Sequence, residues 1–437
     1  MKRLLLLSLV FAVAFSVSAF ATGEVEVTDQ KPITLKYWTN DSFSPSTSLM
    51  TAKVVYERIF ADFAKENPNI KVEYEVLPGG TEALQKVLAA GSVNQLPDFG
   101  ANDGFWVARL VQSGYLQPLN DLWPKKDRAD FIKDAVDAVT FDGKIYAVWF
   151  YNGLRSLVYN KKVVNEAGYA KLPEERQEYI AASKKLVGKD RRAVMYSGDK
   201  TEYTTLHVLP YFWGYGGNLV DEKGKPVFHE EKNREALKRT YEWYRDMVQT
   251  HKIMPPEVAN LDEKKIVDYF YAGQTVQWAT STSRMQTMKQ NRPDLYDSLG
   301  VANYPIEKGY EIVGHLSGWT YGIFTKDPVR QAASWKFLAA LTSAKNLGEL
   351  NEVHGHIPVR TSIIQTSTFF KEDPVFKQWL SIKYPSLKAR DPVPVYPTAS
   401  LEIAAQMGSV ILGKITPDQA IDAAAKASLE EYERTAR

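Results

Sequence analysis

There is no cysteine among the 437 residues. Its absence excludes disulfides, thiolate metal sites and a cysteine nucleophile, so a large hydrophobic core has to hold the fold unaided. A lipid anchor, which needs a cysteine, is excluded as well. Net charge is nearly absent: 54 Lys and Arg stand against 52 Asp and Glu, with no basic block. Nucleic acid and anionic membrane surfaces both require clustered cations, so neither is an expected partner. Histidine is scarce, with six in all, and His354-Gly355-His356 is the one close pair. Two such ligands on a short loop do not make a metal site, and neither a metal nor any other cofactor is expected. The hydrolase signatures Gly-x-Ser-x-Gly and His-Glu-x-x-His are missing, as is the phosphate-cradling Gly-x-x-x-x-Gly-Lys-Ser/Thr. A glycosidase pair can be neither recognised nor dismissed among 52 acids.

What is present begins with a leader. Lys2 and Arg3 form a positive start, Leu4 to Phe15 is apolar, and Ala19-Phe20-Ala21 fits a small-residue cleavage site. Residues 1–21 therefore read as a cleavable signal peptide, with an apolar run too short to span a membrane. Lys2 and Arg3 are the two surplus cations, so the mature protein is formally neutral. It is expected to be exported, soluble, free of lipid and located in a periplasm. Its length points to two or more domains.

Strand and helix signals alternate along the chain. Ile33 to Trp38 is strand-like, and Val55, Ile59 and Phe63 follow at helical spacing until Asn67-Pro68. Ile70, Val72, Tyr74 and Val76 then alternate as a half-buried strand. Helices are expected at 81–90, 104–113, 161–167, 232–251 and 261–272, and from Asp327-Pro328 through Leu341. Thr416-Pro417-Asp418-Gln419 caps a last one. Strands are expected at 144–150, 156–159 and 275–278. This alternation implies α/β sheets with crossover helices. Crossings between domains are expected near 142–146, 300–304 and 343–350, through ordered strands rather than a flexible linker.

The order of several short segments resembles the family-1 extracellular solute-binding proteins of ABC transporters, whose best-known member binds maltose. The segments include Tyr37-Trp38-Thr39-Asn40-Asp41, Phe63-Ala64-Lys65-Glu66-Asn67-Pro68, Gln112-Ser113-Gly114-Tyr115-Leu116 and Asp142-Gly143-Lys144-Ile145-Tyr146. Leu157-Val158-Tyr159-Asn160-Lys161, Gly216-Gly217-Asn218, Tyr271-Ala272-Gly273, Gly318-Trp319-Thr320-Tyr321-Gly322 and His356-Ile357-Pro358 continue the series. One departure is Leu172-Pro173-Glu174-Glu175, where the family has a Pro-x-Thr-Trp helix start. The resemblance implies a type II periplasmic-binding-protein fold of two α/β lobes on a multi-strand hinge that closes over a ligand. The implied lobes are 22–143 with 304–345, and 146–300 with 350–437.

The resemblance also implies a binding role for residues at the strand-end loops. Asn40 and Asp41 follow the first strand, where a simple turn is the competing reading. Asn102, Asp103 and Trp106 open a helix, and Asp103 also suits a plain N-cap. Trp149, Tyr151 and Asn152 belong to a run too bulky and polar for one core face. Glu202, Tyr203 and Trp213 fall in the second lobe, with Trp213 equally suited to the core. Arg284, Trp319 and Tyr396 complete the set, and Arg360 reads better as a structural ion pair.

The expected function is capture of a sugar or oligosaccharide by a monomer and its delivery to the membrane subunits of an ABC permease. Sugar rings offer C–H faces for Trp and Tyr, and hydroxyls for planar polar groups. The chain has ten Trp and 24 Tyr. Two alternatives stay open: an acidic ligand, such as a uronate oligosaccharide or glycerol phosphate held by Arg284 or Arg360, and a secreted polysaccharide-cleaving enzyme.

Overall fold

The computed structural model describes residues 31–78 and 81–435, so the leader over 1–21 lies outside the described residues. In chain order the strands of the two main sheets are β1 (Ile33–Thr39), β2 (Ile70–Val76), β3 (Phe99–Asp103), β4 (Val148–Trp149), β5 (Arg155–Asn160), β6 (Arg192–Met195), β7 (Thr275–Ser281), β8 (Leu299–Ala302) and, after the short β9 (Gly314–Leu316), β10 (Trp319–Ile323). The first sheet runs β2-β1-β3-β10-β4 and the second β8-β5-β7-β6.

In the first sheet β1 lies parallel to β2 with Ile33 opposite Ile70, and parallel to β3. A parallel neighbour requires a crossover, supplied here by the helix Met50–Glu66. Ala52, Tyr56, Ile59 and Phe63 form its buried stripe, and Asn67 caps its end by donating its backbone N–H to the Phe63 carbonyl. β10 returns late in the chain, antiparallel to both β3 and β4. In the second sheet β7 is central, antiparallel to β5 and parallel to β6, and all seven of its residues are buried. Burial on both faces is what a central strand under helices requires. The helices Glu202–Gly214, Glu231–Gln249 and a C-terminal pair, Tyr396–Ile411 and Pro417–Thr435, surround this sheet.

The expected strand over 144–150 is instead a small hairpin, Thr140–Phe141 against Lys144–Ile145, followed by the separate β4. Asp142 and Gly143 both adopt positive φ (49° and 73°), which a two-residue hairpin turn requires. The chain changes sheet within residues 150–154, between β4 and β5. There Asn152 bridges to Ile357, and Gly153 donates its backbone N–H to the Ser317 carbonyl at 2.6 Å. Three remote segments thus meet beside one another between the sheets. Among the described residues no helix is long and apolar enough to cross a membrane.

Candidate ligand-binding cleft

At the strand ends facing this junction lies a cavity of about 940 Å³, lined from both sheets. Its first wall is aromatic. Asn40 caps the turn after β1, its Oδ1 accepting from the backbone N–H of Phe43 at 3.2 Å. The turn delivers the Phe43 ring to 5.4 Å from Trp319 and 5.8 Å from Tyr151. Trp106 stands 5.3 Å from Trp319 at an edge-on angle. Tyr151 stacks flat on His356 at 3.6 Å, and His356 stacks on His354 at 5.1 Å. Burial pulls His354 down to about 4. It also holds His356 well below the ordinary histidine value, with neighbouring His354 adding to the effect. The stacked imidazoles are thus neutral at neutral pH, and the wall carries no charge.

Gly318 makes this arrangement possible. A Cβ there would sit 2.1 Å from the Tyr151 carbonyl oxygen and 2.6 Å from the Trp149 indole nitrogen. Only glycine lets the crossing segments come this close beside Trp319.

The facing wall is polar and charged. Glu263, fully buried, pairs with Arg155 and accepts from the Thr280 hydroxyl at 3.0 Å and from Arg284 Nε at 3.4 Å. Burial opposes its ionisation, but Arg155, with lesser contributions from His207 and Arg284, outweighs that and holds the carboxyl well below its usual range. His207 lies 3.4 Å from Glu263, and its other ring nitrogen is 2.8 Å from the Tyr304 hydroxyl. Burial depresses it, so it adds no cation at neutral pH. Lys264, Ser283, Arg284, Gln286, Thr287 and Gln290 bring further polar groups to this side.

A second charged knot joins the walls. Arg390, buried just after the strand Leu387–Ala389, pairs with Asp103 at the end of β3 and with Glu202 at 3.2 Å. Its guanidinium also lies over Phe105, 4.3 Å from the ring centre. Burial raises the Asp103 carboxyl, with Glu202 adding to the rise and Arg390 opposing it, while Arg390 itself is raised by the two carboxylates against the effect of burial. Tyr396 donates its hydroxyl to Glu202 at 2.7 Å.

Of the residues singled out in the sequence, Asn40, Asp103, Trp106, Tyr151, Glu202, Tyr203, Arg284 and Trp319 line the cavity. Six do not. Asp41 is exposed and accepts from its neighbour Ser42, closing the turn that Asn40 opens. Asn102 points to the opposite side of β3 from Asp103 and donates to the Gly100 carbonyl. Trp149 is buried against Gly104, its Nε1 donating to the Tyr151 carbonyl at 2.8 Å. Asn152 accepts from the Ser317 backbone N–H and ties the crossing segments together. Trp213 is a core residue beside His315. Tyr396 is fully buried behind the lining, bonded to Glu202 and packed on the Phe105 ring at 5.4 Å. Arg360, considered for an acidic ligand, is occupied by Asp127, Asp130 and the Thr342 carbonyl and lies away from the cavity. It is the structural ion pair expected of it.

Sequence reading missed Phe43, Arg155, Glu263, Lys264, His354, His356 and Arg390. Glu263 is the first residue of a helix capped by Asp262, where an acid is ordinary. Nothing local marks its pairing with Arg155, 108 positions away. His354-Gly355-His356 was visible only as a poor metal site, and among the described residues no group of His, Asp or Glu fits a metal ion.

Two α/β units built on separate sheets, joined by several crossing segments around one cleft, define a type II periplasmic-binding-protein fold. The chain belongs to the bacterial extracellular solute-binding protein family, whose model matches residues 47–347. Among curated relatives, it is 24% identical to the diacetylchitobiose-binding protein DasA of Streptomyces coelicolor, covering 76% of this chain and 74% of that one. It is likewise 24% identical to the arabinooligosaccharide-binding protein of Halalkalibacterium halodurans, over 74% and 72% of the two chains. Among solved structures, the sugar-binding protein MalE of Xanthomonas citri aligns with a TM-score of 0.77 at 22% identity, covering 92% of this chain and 98% of that one. Maltose-bound T. maritima MalE3 gives 0.76 at 22% identity, over 90% and 98%.

Proposed function

We propose that the protein captures a sugar or oligosaccharide in this cavity and delivers it to the membrane subunits of an ABC importer. The observation that carries this reading is the pairing of an uncharged aromatic wall with a wall of amides, hydroxyls and charged groups. Ring C–H faces pack on the first, and hydroxyls are read by the second. The volume lies at the upper end of the range for small-molecule sites, about 300–1,000 Å³. The relatives' diacetylchitobiose and arabinooligosaccharide ligands support the same class.

The two lobes are the units carrying the two sheets, with residues 150–154 and the segments around Ser317 and Ile357 as the hinge. The Arg390–Asp103 pair already ties the two walls together across the cleft. The protein works outside the cytoplasm after export. It binds without cleaving: Asp103 and Glu202, the two carboxylates of this knot, are both tied to the Arg390 guanidinium rather than left free to flank a glycosidic bond.

A thermal-shift and calorimetric panel of mono- and oligosaccharides tests the reading, with bound saccharide raising the melting temperature. No shift and no heat for any of them would overturn it. Ligand recovered intact after long incubation is the expected outcome for a binding protein, whereas cleavage products would make it an enzyme.

A further inference from the structure

Charge is distributed unevenly around the cavity. In one knot the single cation Arg390 faces two carboxylates, Asp103 and Glu202. In the other, Arg155 and Arg284 share the single carboxylate of Glu263, and Lys264 adds a third cation to the cavity lining. Glu263 already receives Arg155 and Thr280 at close range. Arg284 reaches it only at 3.4 Å, and its second contact, to the Tyr203 hydroxyl, is also 3.4 Å. Both are long for an N–H···O bond, so most of the five guanidinium donors are unspent. Lys264 has the Tyr203 ring 5.9 Å away and, among the described residues, no ion-pair partner. His207, neutral, does not alter the count.

Arg284, partly buried, reaches its one carboxylate only at long range, and Lys264, exposed on the same cavity, has none, so a ligand carboxylate would meet unspent donors and an unmatched positive charge. Deepening the saccharide reading on which it rests, we infer that the ligand is an acidic oligosaccharide whose uronic carboxylate docks against Arg284 and Lys264. The planar fork of Arg284 suits a two-oxygen contact with a carboxylate, and Lys264 adds a point charge. Thr287 and Gln290 also line the cavity, with polar groups suited to sugar hydroxyls. The aromatic wall and the volume of about 940 Å³ select an oligomer over a small free anion.

Calorimetry with the mature protein tests this using oligogalacturonides and oligoglucuronides, neutral oligosaccharides of matched length, and glycerol 3-phosphate. The acidic oligosaccharides of at least one series are expected to bind about tenfold or more tighter than neutral ones at low salt, with the preference shrinking as salt screens it. Arg284→Gln is expected to abolish that preference by weakening acidic oligosaccharides about tenfold more than neutral ones. If Arg284→Gln melts early because Glu263 loses a partner, Lys264→Gln carries the test, since its ammonium supports no other group. Neutral oligosaccharides binding as tightly as acidic ones, or a preference that survives both substitutions, overturns the inference and leaves the saccharide reading intact. Binding of glycerol 3-phosphate alone overturns both.

Discussion

The two walls of the cleft are built on opposite principles. The aromatic wall, from Trp106 and Trp319 through Phe43 and Tyr151 to His356 and His354, consists of uncharged rings in mutual contact. The other wall is founded on Glu263, a buried charge compensated by Arg155 and Arg284. Packing of rings is tolerant of what lies on them, whereas a charge network rewards one arrangement and penalises the rest. The first wall should therefore set how tightly any saccharide binds, and the second should set which one.

Each wall can be broken without touching the other. The largest effect is expected from Glu263→Gln, which leaves Arg155 buried without a counter-charge and should cost roughly 3–5 kcal/mol, read as a lower denaturant midpoint. Acid attacks the aromatic wall instead. Free histidine titrates near 6.5, while His354 in the fold titrates near 4. Between these values the unfolded chain takes up the proton and the fold does not, so stability falls as pH falls. The loss approaches ~3 kcal/mol from His354 alone. Denaturant curves at pH 7 and pH 4.5 should separate accordingly, and His354→Gln should narrow the gap.

Tyr396→Phe sharpens the comparison by removing one hydrogen bond to Glu202 while keeping the ring. About 1 kcal/mol of stability should go, seen as a small drop in melting temperature. Asp41→Ala, at the exposed turn, is expected to change stability by less than about 0.5 kcal/mol and affinity not at all. A loss of binding there would move the cavity's edge.

The sequence made the helices Glu231–Gln249 and Pro328–Thr342 legible, the first through an apolar stripe against a polar face and the second through its Asp327-Pro328 start. It hid Glu202–Gly214, where ten of thirteen residues are buried and Pro210 interrupts the run, so no period stands out. Pro392, Pro394 and Pro397 obscure the start of the helix Tyr396–Ile411, which holds Pro397 in its first turn. The same divide holds at the cleft. Trp319 announces itself beside Gly318, and Glu202 beside Tyr203, but Arg390 becomes significant only when folding brings it to Asp103, 287 residues earlier. Chain separation of that kind has no local signature.

The most direct test of the division between the walls is calorimetric titration of Trp319→Ala with whichever saccharide the unaltered protein binds most tightly. Trp319 is half-buried at the cavity, so its loss should leave the fold standing. The affinity is predicted to fall by about 2 kcal/mol, roughly thirtyfold, for acidic and neutral saccharides alike. Unchanged affinity in a variant that melts like the unaltered protein would contradict the account.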